Sequence, residues 1–161
     1  ASLVLEDAAD VIEHAALRAA VALAAESVGA ARSCLAMAAE HARTREQFGR
    51  PIGAFQGVKH RLADVLVEVE LATSAVYLAA CHLAEGDRIA AATSVSMAQV
   101  TAVDALAAAS AAAVQVHGGI GFTWESPCHR FVRRARANQA MLGGRSRHLA
   151  TIYADAAVAA F

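Results

Sequence analysis

The sequence predicts an all-α protein, an up-and-down four-helix bundle with a short extra helix. Alanine-rich stretches with apolar residues at helical spacing fill most of the 161 residues. Glycine and proline divide these stretches into segments, and no segment has the alternating pattern of a strand. The composition is 57% hydrophobic but poor in aromatics, which favours closely packed helices over a bulky core. Residues 1–161 are therefore expected to form one domain.

The helical patterns are joined by short connections, as in an up-and-down bundle. Glycine pairs or Gly-Asp mark the ends of the second, third and fourth segments. A turn is expected at residues 120–126, before Pro127, which suits the first turn of a helix. The five predicted helices run from Val11 to about Phe48, from Gly57 to Glu85, from Arg88 to His117, from Pro127 to Ala140 and from Ser146 to about Ala159.

Charge and hydropathy exclude two classes of partner. A net charge of −1 and a pI near 6.7 provide no general attraction for nucleic acid or for an anionic membrane. The basic run at residues 129–136 is interleaved with Phe131 and Val132, which is typical of a short amphipathic helix. Polar residues are expected to interrupt each long apolar run before it could span a bilayer. These features predict a soluble, cytoplasmic protein. Because Ala1 stands where a methionine would open a chain, we expect a longer polypeptide.

Cysteine and histidine give no sign of a metal or nucleophilic centre. The three cysteines, an odd number at wide spacing, are expected to be reduced thiols. The seven histidines are scattered over different segments without the spacing of metal ligands, and no serine or cysteine has an activating neighbour in the pattern. The residues concerned are Cys34, Cys81, Cys128, His14, His41, His60, His82, His117, His129 and His148.

The stretch from Arg43 to Gln56 is the least generic part of the chain, since an alanine-rich helix stops there in a charged, aromatic turn punctuated by Gly49, Pro51 and Gly53. Arginine forks suit phosphate or carboxylate, glutamines supply neutral hydrogen bonds, and phenylalanines supply flat apolar surfaces. This set is suited to a nucleotide. An alternative is that the arginines complement a helix dipole and the phenylalanines pin a corner. The candidate residues are Arg45, Gln47, Phe48, Arg50, Phe55 and Gln56.

A second candidate site ends the third predicted helix, at Gln115, Val116, His117, Gly118 and Gly119. Consecutive glycines allow a ligand to approach the backbone closely and expose N–H groups in the following turn. The alternative is a glycine helix cap in which His117 satisfies terminal carbonyls.

Together, the stretch from Arg45 to Gln56 and the stretch from Gln115 to Glu125 resemble the C-terminal helical domain of the acyl-CoA dehydrogenase family. The resemblance covers nearly the whole chain and is closest in character to subunits of heteromeric actinobacterial enzymes. It implies that the chain is the C-terminal part of a longer protein. It also implies FAD as cofactor, an acyl-CoA substrate, a related subunit in a homotetramer or heterotetramer, and electron-transfer flavoprotein as electron acceptor.

The resemblance further implies that both motifs reach a flavin dinucleotide held across a subunit interface. Trp124, which follows the second motif, is interpreted as a packing residue, and Glu125 receives no role. The residues implied to bind the cofactor are Arg45, Gln47, Phe48, Phe55, Gln56, Gln115, Val116, His117, Gly118 and Gly119.

The sequence departs from the family at the catalytic base. Family members remove the proton α to the thioester carbonyl with a glutamate, before the last helix or on the first. Leu142 or Gly143 occupies the first position here, and Ala19 the second. Three hypotheses follow: a flavin-binding subunit of a heteromer that lacks the base, an active homomeric enzyme with a displaced base such as Glu13, Glu26 or Glu125, or a non-enzymatic helical assembly domain.

Overall fold

A computed structural model of the chain describes residues 8–159, and they form a bundle of helices, which confirms the predicted fold class. A two-stranded antiparallel hairpin interrupts the helices between the first and the second. The last two helices are shorter than the first three and follow short 3₁₀ turns. The elements are α1 (Ala8–Thr44), β1 (Glu46–Gln47), β2 (Arg50–Pro51), α2 (Gln56–Glu85), α3 (Arg88–His117), α4 (Cys128–Ala140) and α5 (Gly144–Ala159).

Helix α3 is the centre of the bundle and packs against all four other helices. Small residues make this possible, because alanines let neighbouring backbones approach from several sides. Leu106 is the largest fully buried side chain, and it lies midway along α3. Val69 of α2 and Cys34 of α1 are buried against the same core. The core is therefore built from close helix contacts, as the alanine-rich composition predicts.

Two of the described helical stretches are long and apolar enough to cross a membrane by length and composition alone. These are Ala8–Thr44 and Arg88–Phe122, so the expectation that polar residues interrupt every such run was too strong. In the most apolar window of each stretch, 39% and 61% of the residues are buried inside the protein. The central helix of a bundle passes the same composition test, and α3 is such a helix.

Gly86 and Asp87 separate α2 from α3, as the sequence predicts. Gly86 ends α2 in the left-handed conformation, with φ 79°. Asp87 then caps α3, since its side chain accepts a hydrogen bond from the backbone N–H of Ala90 at 3.0 Å. Consequently α2 and α3 form a tight helical hairpin. Three helix termini therefore lie at the same end of the bundle: the end of α1, the start of α2 and the end of α3.

The connection from α1 to α2 differs from the prediction. Helix α1 ends at Thr44 rather than near Phe48, and the residues that follow form the hairpin, with Gln47 paired to Arg50. Phe48 and Gly49 both have positive φ, 54° and 75°, as a two-residue hairpin turn with the twist of its strands requires. Gly49 thus serves the hairpin turn and not a helix exit. The expectation that no strand would occur was wrong at this corner.

Close contact fixes where the hairpin lies on the bundle. Gly53 sits in the 3₁₀ turn after the hairpin, where an added Cβ atom would lie 2.9 Å from the carbonyl oxygen of Ala42. Only glycine allows this approach without a shift of the backbone. The turn therefore rests directly on the last turn of α1, which places the hairpin beside the carboxyl end of that helix.

Candidate functional site

The two candidate motifs meet at one end of the bundle through a pair of histidines. His41 lies one turn before Arg45, whose backbone N–H donates to the His41 carbonyl at 2.9 Å. The imidazole of His41 stacks on that of His117, with ring centroids 4.3 Å apart and planes inclined by 21°. The end of α1, which leads directly into the first motif, is thus in contact with the end of α3, which carries the second.

The hairpin presents an arginine and two aromatic rings as one cluster. The Arg50 guanidinium carbon lies 4.1 Å from the centroid of the Phe55 ring, a cation–π contact. Phe48 meets the same ring edge-on at 6.1 Å. Phe48 is nevertheless 91% exposed, with its backbone in the left-handed region that a bulky residue seldom adopts. The hairpin therefore offers an apolar surface to the outside of the chain.

Polar groups beside this cluster point to solvent. Arg45 is exposed and makes no ion pair within residues 8–159. Gln47 is exposed, and its side-chain amide donates to the carbonyl of Glu46 at 2.8 Å. Gln56 is the exposed first residue of α2. These side chains provide a permanent cation and neutral hydrogen-bonding groups on the surface that carries Phe48.

The end of α3 combines structural and exposed groups. Nδ1 of His117 donates to the carbonyl of Ala113 at 2.7 Å, and Gly118, with φ 62°, caps the helix by donating to carbonyls of its last turn. This agrees with the capping alternative for these two residues. Gly119 and Gln115 are exposed, whereas Val116 packs partly against the core. Nothing lies within 4 Å of a Cβ added at Gly118 or Gly119, so this backbone surface is open to a ligand.

His41 is a site residue that the sequence analysis missed, although its place one helical turn before Arg45 could have indicated it. Burial lowers the pKa of His41, and the nearby charges of His117 and Arg45 lower it further. Its ring lines an open groove of about 640 Å³ that also exposes Glu40 and Glu125. The stacked rings of His41 and His117 thus stand between the two motifs.

The turn before α5 carries no carboxylate. Residues 141–143 form a short 3₁₀ turn in which Leu142 has φ 54°, and Gly143 and Gly144 also have positive φ. Asp104 of α3 is the acid that approaches this region, and its carboxylate accepts a hydrogen bond from Arg145 at 3.2 Å. The sequence analysis missed Asp104, because only the packing of α5 on α3 brings them together.

Of the other carboxylates considered as bases, Glu13 and Glu26 accept hydrogen bonds from other side chains, and Glu125 is exposed. Arg88 donates to Glu13 at 2.7 Å. Glu26 accepts from Arg134 at 3.0 Å and from the side-chain amide of Asn138 at 2.9 Å. Ala19, the alternative family position, is an exposed residue of α1. Glu125 remains exposed at the groove beside the stacked histidines.

Trp124 does not pack in the interior of this chain, which corrects its interpretation as a packing residue. The side chain is 79% exposed, and its ring meets that of His129 edge-on, with ring centroids 4.7 Å apart. The guanidinium of Arg133 lies 5.8 Å from the Trp124 ring centroid. A large exposed aromatic residue adds apolar area to the surface. Trp124 therefore marks a second place where the chain is suited to contact another protein surface.

Comparisons with known proteins agree on the family. Residues 9–157 match the family described as acyl-CoA dehydrogenase, C-terminal domain. The chain is 44% identical over 124 residues to acyl-CoA dehydrogenase IpdE2 of Mycobacterium tuberculosis, covering 77% of this chain and 37% of that protein. The ChsE4-ChsE5 complex from Mycobacterium tuberculosis has a chain with TM-score 0.82 and 35% identity, covering 88% of this chain and 38% of that one.

Butyryl-CoA dehydrogenase from Megasphaera elsdenii has the same fold, with TM-score 0.80 and 32% identity, covering 84% of this chain and 35% of that one. The matched part is well under half of each of these three proteins. Since the family match spans nearly all of the described helices and the solved structures share their arrangement, the chain belongs to the acyl-CoA dehydrogenase family and corresponds to its C-terminal helical domain.

Proposed function

We propose that this chain is part of a flavin-binding subunit, lacking the catalytic base, of a heteromeric acyl-CoA dehydrogenase. The complex introduces an α,β double bond into an acyl-CoA thioester, with bulky steroid or branched acyl groups as the favoured class. The observation that carries the proposal is the turn at residues 141–144, which has no carboxylate where the family places its glutamate. The similarity to the ChsE4-ChsE5 complex supports a partnership of two related subunits.

The exposed groups at the joined motifs fit FAD. Arg45 supplies a permanent positive charge for a pyrophosphate, and Gln47 and Gln56 supply neutral hydrogen bonds. Phe48 offers an apolar face, and the open backbone at Gly118 allows close approach. When bound, the flavin accepts the hydride that leaves the β carbon of the substrate. The role of this chain is to hold the cofactor across the subunit interface, while a related subunit supplies the glutamate.

The geometry argues against two of the three carboxylates considered as a displaced base, Glu13 and Glu26. A base must be free to approach the proton it removes. Glu13 and Glu26 are held by arginines, and Glu26 also by Asn138. Neither could reach a substrate without losing these contacts. The resemblance to the family is the basis for the expected partners, which are an acyl-CoA substrate, a related subunit in a tetramer, and electron-transfer flavoprotein.

An active homomeric enzyme with a displaced base is the second candidate, and one contact favours it. Asp104 lies beside the first turn of α5, where it accepts a hydrogen bond from Arg145. Release of that arginine would leave a carboxylate near the turn that carries the glutamate in relatives. The two candidates differ in whether Asp104 is needed for the chemistry.

The test uses the full-length protein, purified alone and after co-expression with a related subunit that carries the glutamate. Visible spectra record bound flavin, and anaerobic single turnover with a panel of acyl-CoA thioesters, including steroid ones, records flavin bleaching. We expect bleaching in the co-expressed complex and little in the homomer, because a positioned base contributes about 100- to 10,000-fold. Replacement of the partner's glutamate by glutamine should abolish bleaching.

The variant Asp104→Asn separates the candidates. In a heteromer whose partner supplies the base, this variant keeps its rate of bleaching. Rapid bleaching by the homomer that Asp104→Asn abolishes would establish the displaced base instead. A protein that retains no flavin in either preparation would support the assembly-domain hypothesis and overturn both.

A further inference from the structure

A small, partly enclosed cavity lies where α3, α4 and α5 meet, away from the hairpin and the stacked histidines. Its volume is about 20 Å³. Each of the three helices contributes a buried polar side chain to its lining: Gln99 from α3, Asn138 from α4 and His148 from α5. These side chains are 3%, 1% and 8% exposed. A polar cavity between three helices therefore occupies a place where an apolar core would ordinarily continue.

Each of these side chains has one atom without a hydrogen-bond partner among the described residues. The atoms are Oε1 of Gln99, Oδ1 of Asn138 and Nε2 of His148. Leaving a buried polar atom unpaired costs about 1–3 kcal/mol, and three such atoms on one cavity would be an unusual concentration. A ligand that pairs with all three removes this cost.

Hydrogen bonds made outside the cavity show which polar groups of Asn138 and His148 remain unpaired. The Asn138 side-chain nitrogen donates to Glu26 at 2.9 Å and to the hydroxyl oxygen of Ser27 at 2.8 Å. Both of its N–H groups are thus used, and its oxygen is left as an acceptor without a partner among the described residues. A rotated amide would place oxygen against the Glu26 carboxylate, so this orientation is the favourable one.

The histidine is constrained from its other side. Nδ1 of His148 lies 3.2 Å from the hydroxyl oxygen of Ser96. Burial lowers the pKa of His148. A hydrogen bond with the backbone of Leu142 raises this pKa, and the charge of Arg147 lowers it. The contact with Ser96 is made by Nδ1, which leaves Nε2 as the ring nitrogen without a partner among the described residues.

We propose that this cavity binds one structural water molecule, which accepts a hydrogen bond from Nε2 of His148 and donates hydrogen bonds to Asn138 and Gln99. A cavity holds one water when about 10–15 Å³ is accessible to it and two to four polar partners surround it. The size and the three partners both meet these conditions. With two acceptors and one donor around it, the water uses both of its hydrogens and one lone pair.

The water site anchors the first turns of α5. Gly144 and Arg145 line the same cavity, and Gly144 begins α5 directly after the turn that holds Leu142. Through Asn138 the network continues to Glu26 and Ser27 of α1. One buried water therefore links α3, α4 and α5 and connects them to α1. It holds in place the turn where relatives carry the catalytic glutamate.

Joint X-ray and neutron diffraction from crystals of the full-length protein tests the proposal without any substitution. The expected result is one ordered water within hydrogen-bond distance of the three atoms, with the exchangeable hydrogen of the His148 ring on Nε2. A cavity without ordered solvent, or a hydrogen on Nδ1 in place of Nε2, would overturn the assignment.

Two matched variants test the anchoring role. Gln99→Met removes one acceptor at nearly constant volume, whereas Gln139→Met changes a residue that lines the same cavity but whose Oε1 already accepts from Arg136 at 3.1 Å. We expect the water to be lost or disordered only in Gln99→Met, with faster amide hydrogen exchange in the first turns of α5. An unchanged water in Gln99→Met, or equal exchange in the two variants, would contradict the proposal.

Discussion

The imidazole rings of His41 and His117 stack at 4.3 Å, and this contact joins the two motifs through residues that are 76 positions apart in the sequence. His41 belongs to the last turns of α1, and His117 is the last residue of α3. Burial lowers the pKa of His41, so protonation of this ring is less favourable in the folded protein. The candidate site is therefore sensitive to acid.

Folding stability should fall as pH decreases below about 6.5, the ordinary pKa of histidine. The pKa values of His41 and His148 are lowered, chiefly by burial, so the unfolded chain binds protons more readily than the folded one. The contribution of these histidines to the free energy of unfolding is fully present above their pKa in the unfolded chain. It is lost as pH falls through their lower pKa values in the folded protein. Urea unfolding of the full-length protein between pH 8 and pH 5 measures this dependence.

The double variant His41→Gln, His148→Gln separates these residues from the carboxylates, which also titrate in acid. Its stability should change less between pH 7 and pH 5 than that of the unmodified protein. An identical pH dependence in the two proteins would show that neither histidine has the lowered pKa assigned to it.

Arg45→Ala should weaken flavin retention by the full-length complex more than Arg136→Ala does. A charge-assisted hydrogen bond to phosphate contributes about 1.5–3 kcal/mol, which is about 10- to 150-fold in dissociation constant. Arg136 is an exposed arginine of α4 whose described partner is Gln139, so it serves as the control. Flavin release during dialysis, followed by absorbance, measures the difference. Equal release from both variants would remove the assignment of Arg45 to the cofactor.

We expect Phe48 to contribute to flavin binding while lowering the folding stability of the protein. Its ring is 91% exposed on a backbone with φ 54°, a conformation that costs a residue with a side chain roughly 1–2 kcal/mol. Phe48→Gly and Phe48→Ala both remove the ring, but only glycine relieves the backbone strain. Both should lose flavin affinity, and Phe48→Gly should be the more stable of the two in thermal unfolding. Undiminished flavin affinity in both variants would show that the exposed ring serves another purpose.

Gly53→Ala should destabilise the protein, because its Cβ atom would lie 2.9 Å from the backbone oxygen of Ala42. Crowding of this kind costs about 1–3 kcal/mol. Gly57→Ala is the matched control, since nothing lies within 4 Å of its Cβ position and alanine is favoured over glycine in a helix by up to about 1 kcal/mol. Denaturant midpoints of the two variants should therefore move in opposite directions. A Gly53→Ala protein as stable as the parent would mean that the turn is not held against α1.

The sequence by itself determined the helical fold, the main helix boundaries and the family. These depend on local signals: alanine-rich periodicity, glycine at helix ends, and Asp87 as a cap, each of which acts over a few residues. The boundaries of α2 and α3 agree with the prediction to within a residue. The absence of a glutamate at Leu142, Gly143 and Ala19 is an inference from the resemblance to the family and stays a prediction.

Only the tertiary structure decided which side chains face one another and which face outward. The stacking of His41 on His117, the contact of Asp104 with Arg145, and the meeting of Gln99, Asn138 and His148 at one cavity all join residues far apart in sequence. No periodicity contains this information, because it depends on how helices rotate and approach when alanine cores pack. The hairpin at Phe48 was also missed, since a turn of two residues between two-residue strands leaves too short a pattern to distinguish it from a fraying helix end.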